Sequence, residues 1–247
     1  MTYYNMSSNK NRIVYNMKKV TPKQIERLYE FTRQHYVEYF DVQTELVDHL
    51  ANAIETHWQE FPDNDFETAL QKEFRKFGVF GFMDILEEKT KQMSKRYNRI
   101  LWQKTKEFFT IPKVLLTLCI GLAFYTLLSL LGHVKILIPL ILCTIFIVYV
   151  ISFIRNKRLF KKSTNKRWLF EDIIIQSNGY GFTMFFPLQM SIQFAKHLPE
   201  NQTFIAFCSA FFAFYIILMY VSAVYLPKNR EKYLSEIYPQ YNQFLQA

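Results

Sequence analysis

Recognisable catalytic signatures are missing from this 247-residue chain. It has no G-x-S-x-G turn, phosphate-binding loop, dinucleotide fingerprint or kinase signature, and nothing else assembles a catalytic set. The expectation is therefore a protein that is not an enzyme and carries no cofactor. Cysteine is scarce: Cys119, Cys143 and Cys208 each lie within an apolar run, without a C-x-x-C or a Cys/His cluster. That excludes a disulfide framework or a cysteine zinc site and leaves small apolar fillers between helices. The first segment, MTYYNMSSNKNRIVYNM, lacks an apolar centre, so no secretory signal is expected. Residues 1–20 read as a disordered segment, with Met17 ahead of Lys18 and Lys19 as an alternative start.

What is present is hydrophobic length. Four apolar runs lie between Pro112 and Leu226, at about 112–131, 134–154, 172–194 and 204–226. Each approaches the ~20 residues a helix needs to cross ~30 Å of hydrocarbon. The loop 155–168, RNKRLFKKSTNKRW, is rich in Lys and Arg and contains no acid. Such a loop resists translocation. The approach through Lys104, Lys106 and Lys113, and the 227–247 tail with Lys228, Arg230 and Lys232, fall on the same side by this count. Both termini are thus expected in the cytoplasm, in a multi-pass inner-membrane protein. The formal charge of +9 sits largely beside the spans, where anionic lipid is the nearer partner, and direct nucleic-acid binding is not expected.

The N-terminal part reads as soluble helices. Thr21-Pro22-Lys23-Gln24 is a helix start with a reciprocal cap, and the spacing predicts a helix to about Tyr39. Val42, Leu46, Leu50, Ala53, Ile54 and His57 share the face of a second helix ending before Pro62. Asn64 with Glu67 predicts a third N-terminus, with Gly78 as its left-handed C-terminal residue. A fourth helix is expected to run from Phe82 to Thr110 without a breaker. The predicted core is Leu46, Leu50, Ile54, Phe66, Leu70, Phe74, Phe77, Ile85 and Leu86. The fold class is all-α: a small helical bundle (21–93), a juxtamembrane stalk (94–111) and a four-helix transmembrane bundle (112–226).

The runs ELVDHLANAIE (Glu45 to Glu55), FETAL (Phe66 to Leu70) and FRKFGVFGFMDILEEK (Phe74 to Lys89) resemble the HAAS signalling domain, the α-helical cytoplasmic module found beside PadR-type regulators in bacterial membrane proteins. Phe77-Gly78-Val79 stands where that family carries an LG-x-P element. The resemblance implies a module that relays information between a membrane domain and a soluble protein partner, such as a PadR-like regulator. It supplies no catalytic residue.

Candidate functional residues follow from position. Arg155, Lys157, Arg158, Lys161, Lys162, Lys166 and Arg167 are candidate contacts for anionic lipid. Trp102 and Trp168 fall where interfacial anchors belong. Gln176, Ser177, Asn178 and Gln189 interrupt the third run and predict polar contacts between helices or between copies of the chain. Gly179-Tyr180-Gly181 lies within a span and lacks a channel-filter context. Glu171 and Asp172 point about 100° apart on a helix and read as partners for Lys166 or Arg167. Glu45 and His49 share a helix face, and His57 lies two turns on, but no metal-ligand set is complete. His133 and His197 fall at external hairpins. The first expectation is a membrane bundle coupled to a regulatory module. The alternative is an oligomeric transporter or channel subunit whose pathway is lined by the third span, and a lipid-modifying enzyme comes last.

Overall fold

The computed structural model describes residues 18–161, 166–177 and 185–242, without the side chains of Leu159, Lys161 and Ser177. The described residues are helical with no strands, and the chain divides into two compact units, Met1–Glu88 and Lys89–Ala247.

The first unit contains α1 (Pro22–Gln34), α2 (Phe40–Glu60), α3 (Phe66–Arg75) and the start of α4 (Met83–Lys106). Thr21 caps α1 as the sequence predicts, with Gln24 returning the bond to the Thr21 backbone. The helix stops well before Tyr39, because Tyr36 turns left-handed (φ 64°) and tucks Val37 into the core. Asp65 rather than Asn64 takes the N-cap position of the third helix, and Asn64 places its amide 2.9 Å from His57 Nε2. Gly78 takes the predicted left-handed conformation, φ 78°.

Leu46, Leu50, Ile54 and Leu70 are buried as predicted, whereas Phe66, Phe74, Phe77, Ile85 and Leu86 are only half-buried. The remaining centre comes from Leu28, Phe31, Val42, Val47, Trp58 and Phe82. Phe31, Phe74 and Phe82 pack edge to face, with ring centroids 4.9–6.2 Å apart. That arrangement suits the aromatic quadrupole.

The second unit holds the rest of α4, α5 (Val114–Leu131), α6 (Val134–Lys161), α7 (Leu169–Ser177), α8 (Phe185–Gln193) and α9 (Gln202–Tyr220). After α9 the helix widens into a π-turn over Val221–Tyr225, followed by α10 (Leu226–Lys228) and α11 (Arg230–Ile237). Helix α4 ends earlier than predicted, passing into a 3-10 turn at Glu107–Phe109. Its last three turns are not a bare stalk. Tyr97, Leu101 and Thr105 form a buried stripe, and Trp102 stacks on Phe214. Glu107 accepts from Lys104 and Lys113 at the turn into α5. Those two ammonium groups, Lys104 first, hold its carboxyl below the usual range against the opposing effect of burial.

Among the described residues, three helical stretches are long and apolar enough to cross a membrane: Val114–Leu131, Val134–Arg158 and Gln202–Lys228. Helices α5 and α9 pack closely, with Gly121 facing Ala213. Leu128, Val134, Ile138, Leu142, Leu188, Ile205, Phe212 and Tyr215 form a shared core. The outer faces of α5 and α6 carry exposed Leu115, Leu118, Leu122, Ile136, Leu140, Ile147 and Ile151. Such a broad apolar surface suits lipid rather than water. Cys119 and Cys143 lie on exposed surfaces and Cys208 is half-buried, so the first two do not fill gaps between helices.

The predicted third span is represented by two short helices, with residues 178–184 outside the description. Helix α7 lies along the second half of α6, where Phe153 and Phe160 share a cavity with Glu171 and Ile175. Helix α8 lies along the first half, where Phe185 meets Phe146 and Leu188 joins Ile138 and Leu142. Beyond α8, Glu200 bonds Lys135 at 3.1 Å, next to the start of α6. From residue 169 to residue 200 the described chain therefore runs antiparallel to α6 along most of its length.

Candidate functional site

The end of the second unit where α6 finishes, α7 begins and α9 passes into α11 carries Arg155, Lys157, Arg158, Lys166, Arg167, Lys228, Arg230 and Lys232. Asn156, on the last turns of α6, is 3 % exposed and donates from Nδ2 to the carbonyl oxygen of Ala223 at 2.7 Å. A π-turn widens the helix, and a side chain inserted from a neighbour can satisfy a carbonyl on its wall. This bond ties α6 to α9 at the level where apolar sequence gives way to charge.

Arg230 of α11 is held from several sides. Its guanidinium lies 4.6 Å over the Phe160 ring, a cation–π contact, and its Nε is 3.6 Å from Glu171 Oε1. Glu231 lies 3.7 Å from the same guanidinium. Glu171 precedes the predicted span and is 6 % exposed. Its carboxyl faces Arg230 and has Asp172 and Glu231 as acidic neighbours. Asp172 bonds Arg167. The two neighbouring carboxylates thus diverge as helical geometry requires, with one cation coming from the loop and the other from α11.

The sequence-predicted candidates separate into groups. Arg155, Lys157, Arg158 and Arg167 are exposed, and Lys166 is half-exposed with its ammonium held below the ordinary lysine range by burial. Lys157, Lys166 and Arg167 line one cavity of about 520 Å³ together with Glu171, Asp172 and Gln176. Lys162 and the Lys161 side chain lie outside the described residues, as do the Ser177 side chain, Asn178 and Gly179-Tyr180-Gly181.

Gln176, in the lining of that cavity, and Gln189, on α8, are both exposed. Among the described residues of this unit, the buried polar side chains are Thr105, Thr117, Asn156, Glu171, Ser191, Ser209 and Ser222. Trp102 is 48 % exposed, while Trp168 is buried at 1 % against Tyr238 and Tyr241. Trp168 therefore docks the C-terminal turn onto the start of α7 and presents little surface to lipid. Asn156 was missed because it stands inside a basic stretch whose pattern speaks only of topology.

In the first unit, His57 is buried and links α2 to α3, its Nδ1 3.4 Å from Glu73 Oε1. Lys76 bonds the other oxygen of Glu73 at 2.6 Å. Glu45 and His49 are exposed. No cluster of three or more His, Cys, Asp or Glu suited to a metal occurs among the described residues.

Comparison of the chain with protein-family models, with curated proteins and with solved structures finds no match.

Proposed function

We infer that this membrane protein crosses the bilayer four times, with α7 and α8 together forming a discontinuous crossing, and that it couples the bundle to its N-terminal helical unit. The observation that carries this reading is the antiparallel course from residue 169 to residue 200 along α6, ending at the Lys135–Glu200 bond. An even number of crossings returns the chain to its starting side. It also leaves Lys104, Lys113, the 155–168 loop and Lys228 together on the side that resists translocation, the cytoplasmic face of an inner membrane. Broken helices of this kind are tolerated where protein covers the interrupted backbone.

The regulatory part of the reading rests on the resemblance of about residues 21–93 to a HAAS module and on one surface feature. Val79 and Phe80 are 98 % and 71 % exposed in the loop between α3 and α4. Exposed neighbouring apolar side chains suit docking of a soluble bacterial regulator. Helix α4 begins in this unit and continues into the second, which makes it the element through which a change in the bundle would pass.

The test uses the full chain in cells. A photo-crosslinking residue at Val79 or Phe80 should capture a helix-turn-helix regulator, and adducts to no protein would refute the relay. For topology, a membrane-impermeant thiol reagent should label Lys135→Cys from outside and leave Lys228→Cys untouched; the reverse pattern would overturn the orientation. A second reading, an oligomeric transport subunit, is favoured by the exposure of Gln176 and Gln189. Under that reading Gln176→Leu abolishes flux; under the relay it alters assembly or coupling.

A further inference from the structure

Two cavities share a wall where α6 meets the π-turn. The first, about 440 Å³, contains Arg155, Lys228, Arg230 and Glu231, so three cations face one carboxylate. The second, about 320 Å³, opens between α6 and α9 and is lined by apolar side chains such as Ile145, Val148, Ile216 and Met219. Ala223 and Val224 line both. Asn156 holds the Ala223 carbonyl, so the two cavities adjoin at a residue with a small side chain.

The dimensions and polarity match an amphiphile. Arg155 and Lys228 are exposed near the ends of the Val134–Arg158 and Gln202–Lys228 spans, at headgroup depth. From Ser152 back to Thr144, and from Ala223 back to Ile216, the apolar cavity follows the helices for about 10–12 Å toward the middle of the bilayer at 1.5 Å per residue. Arg230 is prepositioned by Phe160 and Glu171, while Arg155 and Lys228 bring the surplus positive charge. A helix from a second copy would fill the groove but would leave that charge uncompensated.

We propose that the two adjoining cavities bind one anionic phospholipid, with its phosphate among Arg155, Lys228 and Arg230 and one acyl chain in the groove between α6 and α9. This requires a bilayer but no regulatory partner, so failed capture at Val79 and failed lipid binding are separate results.

The experiment places the full chain in nanodiscs of mixed phosphatidylglycerol and phosphatidylcholine, with one lipid at a time carrying a photoreactive group in its acyl chain. Phosphatidylglycerol should label residues 144–152 and 216–224 about fivefold or more above phosphatidylcholine. Arg155→Gln with Lys228→Gln should bring the two lipids to parity, whereas Lys95→Gln with Arg99→Gln should leave the excess intact. In the unaltered protein, a reactive group near the glycerol should mark Ser152 and Val224, and one near the chain end Thr144 and Ile216. That arm needs no variant to fold. Equal labelling by both lipids, adducts scattered over the outer faces, or crosslinks between two copies in the groove would each overturn the proposal.

Discussion

Replacing Asn156 by leucine keeps similar bulk and removes the donor that reaches the π-turn. The amide is 3 % exposed and bonds Ala223 O at 2.7 Å, so water does not readily replace it. Interhelical hydrogen bonds in membrane proteins contribute about 0.6–1.7 kcal/mol, and a buried carbonyl left without its partner costs about 1–3 kcal/mol. The expected loss is therefore about 1–2 kcal/mol, or about 5–30-fold in the ratio of folded to unfolded protein. Reversible unfolding of the full chain in mixed micelles, titrated with dodecyl sulfate and followed by circular dichroism, measures it. Asn156→Gln should recover part of the loss. If the leucine variant unfolds at the same detergent fraction as the parent, the bond does not hold α6 to α9, and the π-turn is kept by packing alone.

In the first unit, Glu73→Ala should cost about 1–3 kcal/mol, because it leaves the buried His57 ring without its α3 partner. Hydrogen exchange of the α2 and α3 amides in the full chain reads it, and unchanged protection would show that the pair contributes nothing.

The legible part of the fold was the part that depends on local composition. Apolar runs predicted at 112–131, 134–154 and 204–226 correspond to Val114–Leu131, Val134–Arg158 and Gln202–Lys228. A segment that long and greasy has few alternatives to a helix. The Thr21 cap and Gly78 turn were readable for the same reason, each being satisfied within a few residues. Less legible was which face of a helix finds a partner. Phe66 and Phe74 looked central yet are half-buried, while Phe31 and Trp58 close the core.

By itself, the sequence determined that the chain is helical, that it carries membrane-length segments, and where its cations cluster. Tertiary structure alone decided that Glu171 meets Arg230, that Asn156 reaches Ala223, and that Trp168 is enclosed by Tyr238 and Tyr241. It also decided that Gln176 and Gln189 are exposed. The physical reason is range: hydrophobic length and helix caps are written in neighbouring residues. A buried polar contact depends on two distant stretches arriving in one register, and periodicity within either stretch does not record that.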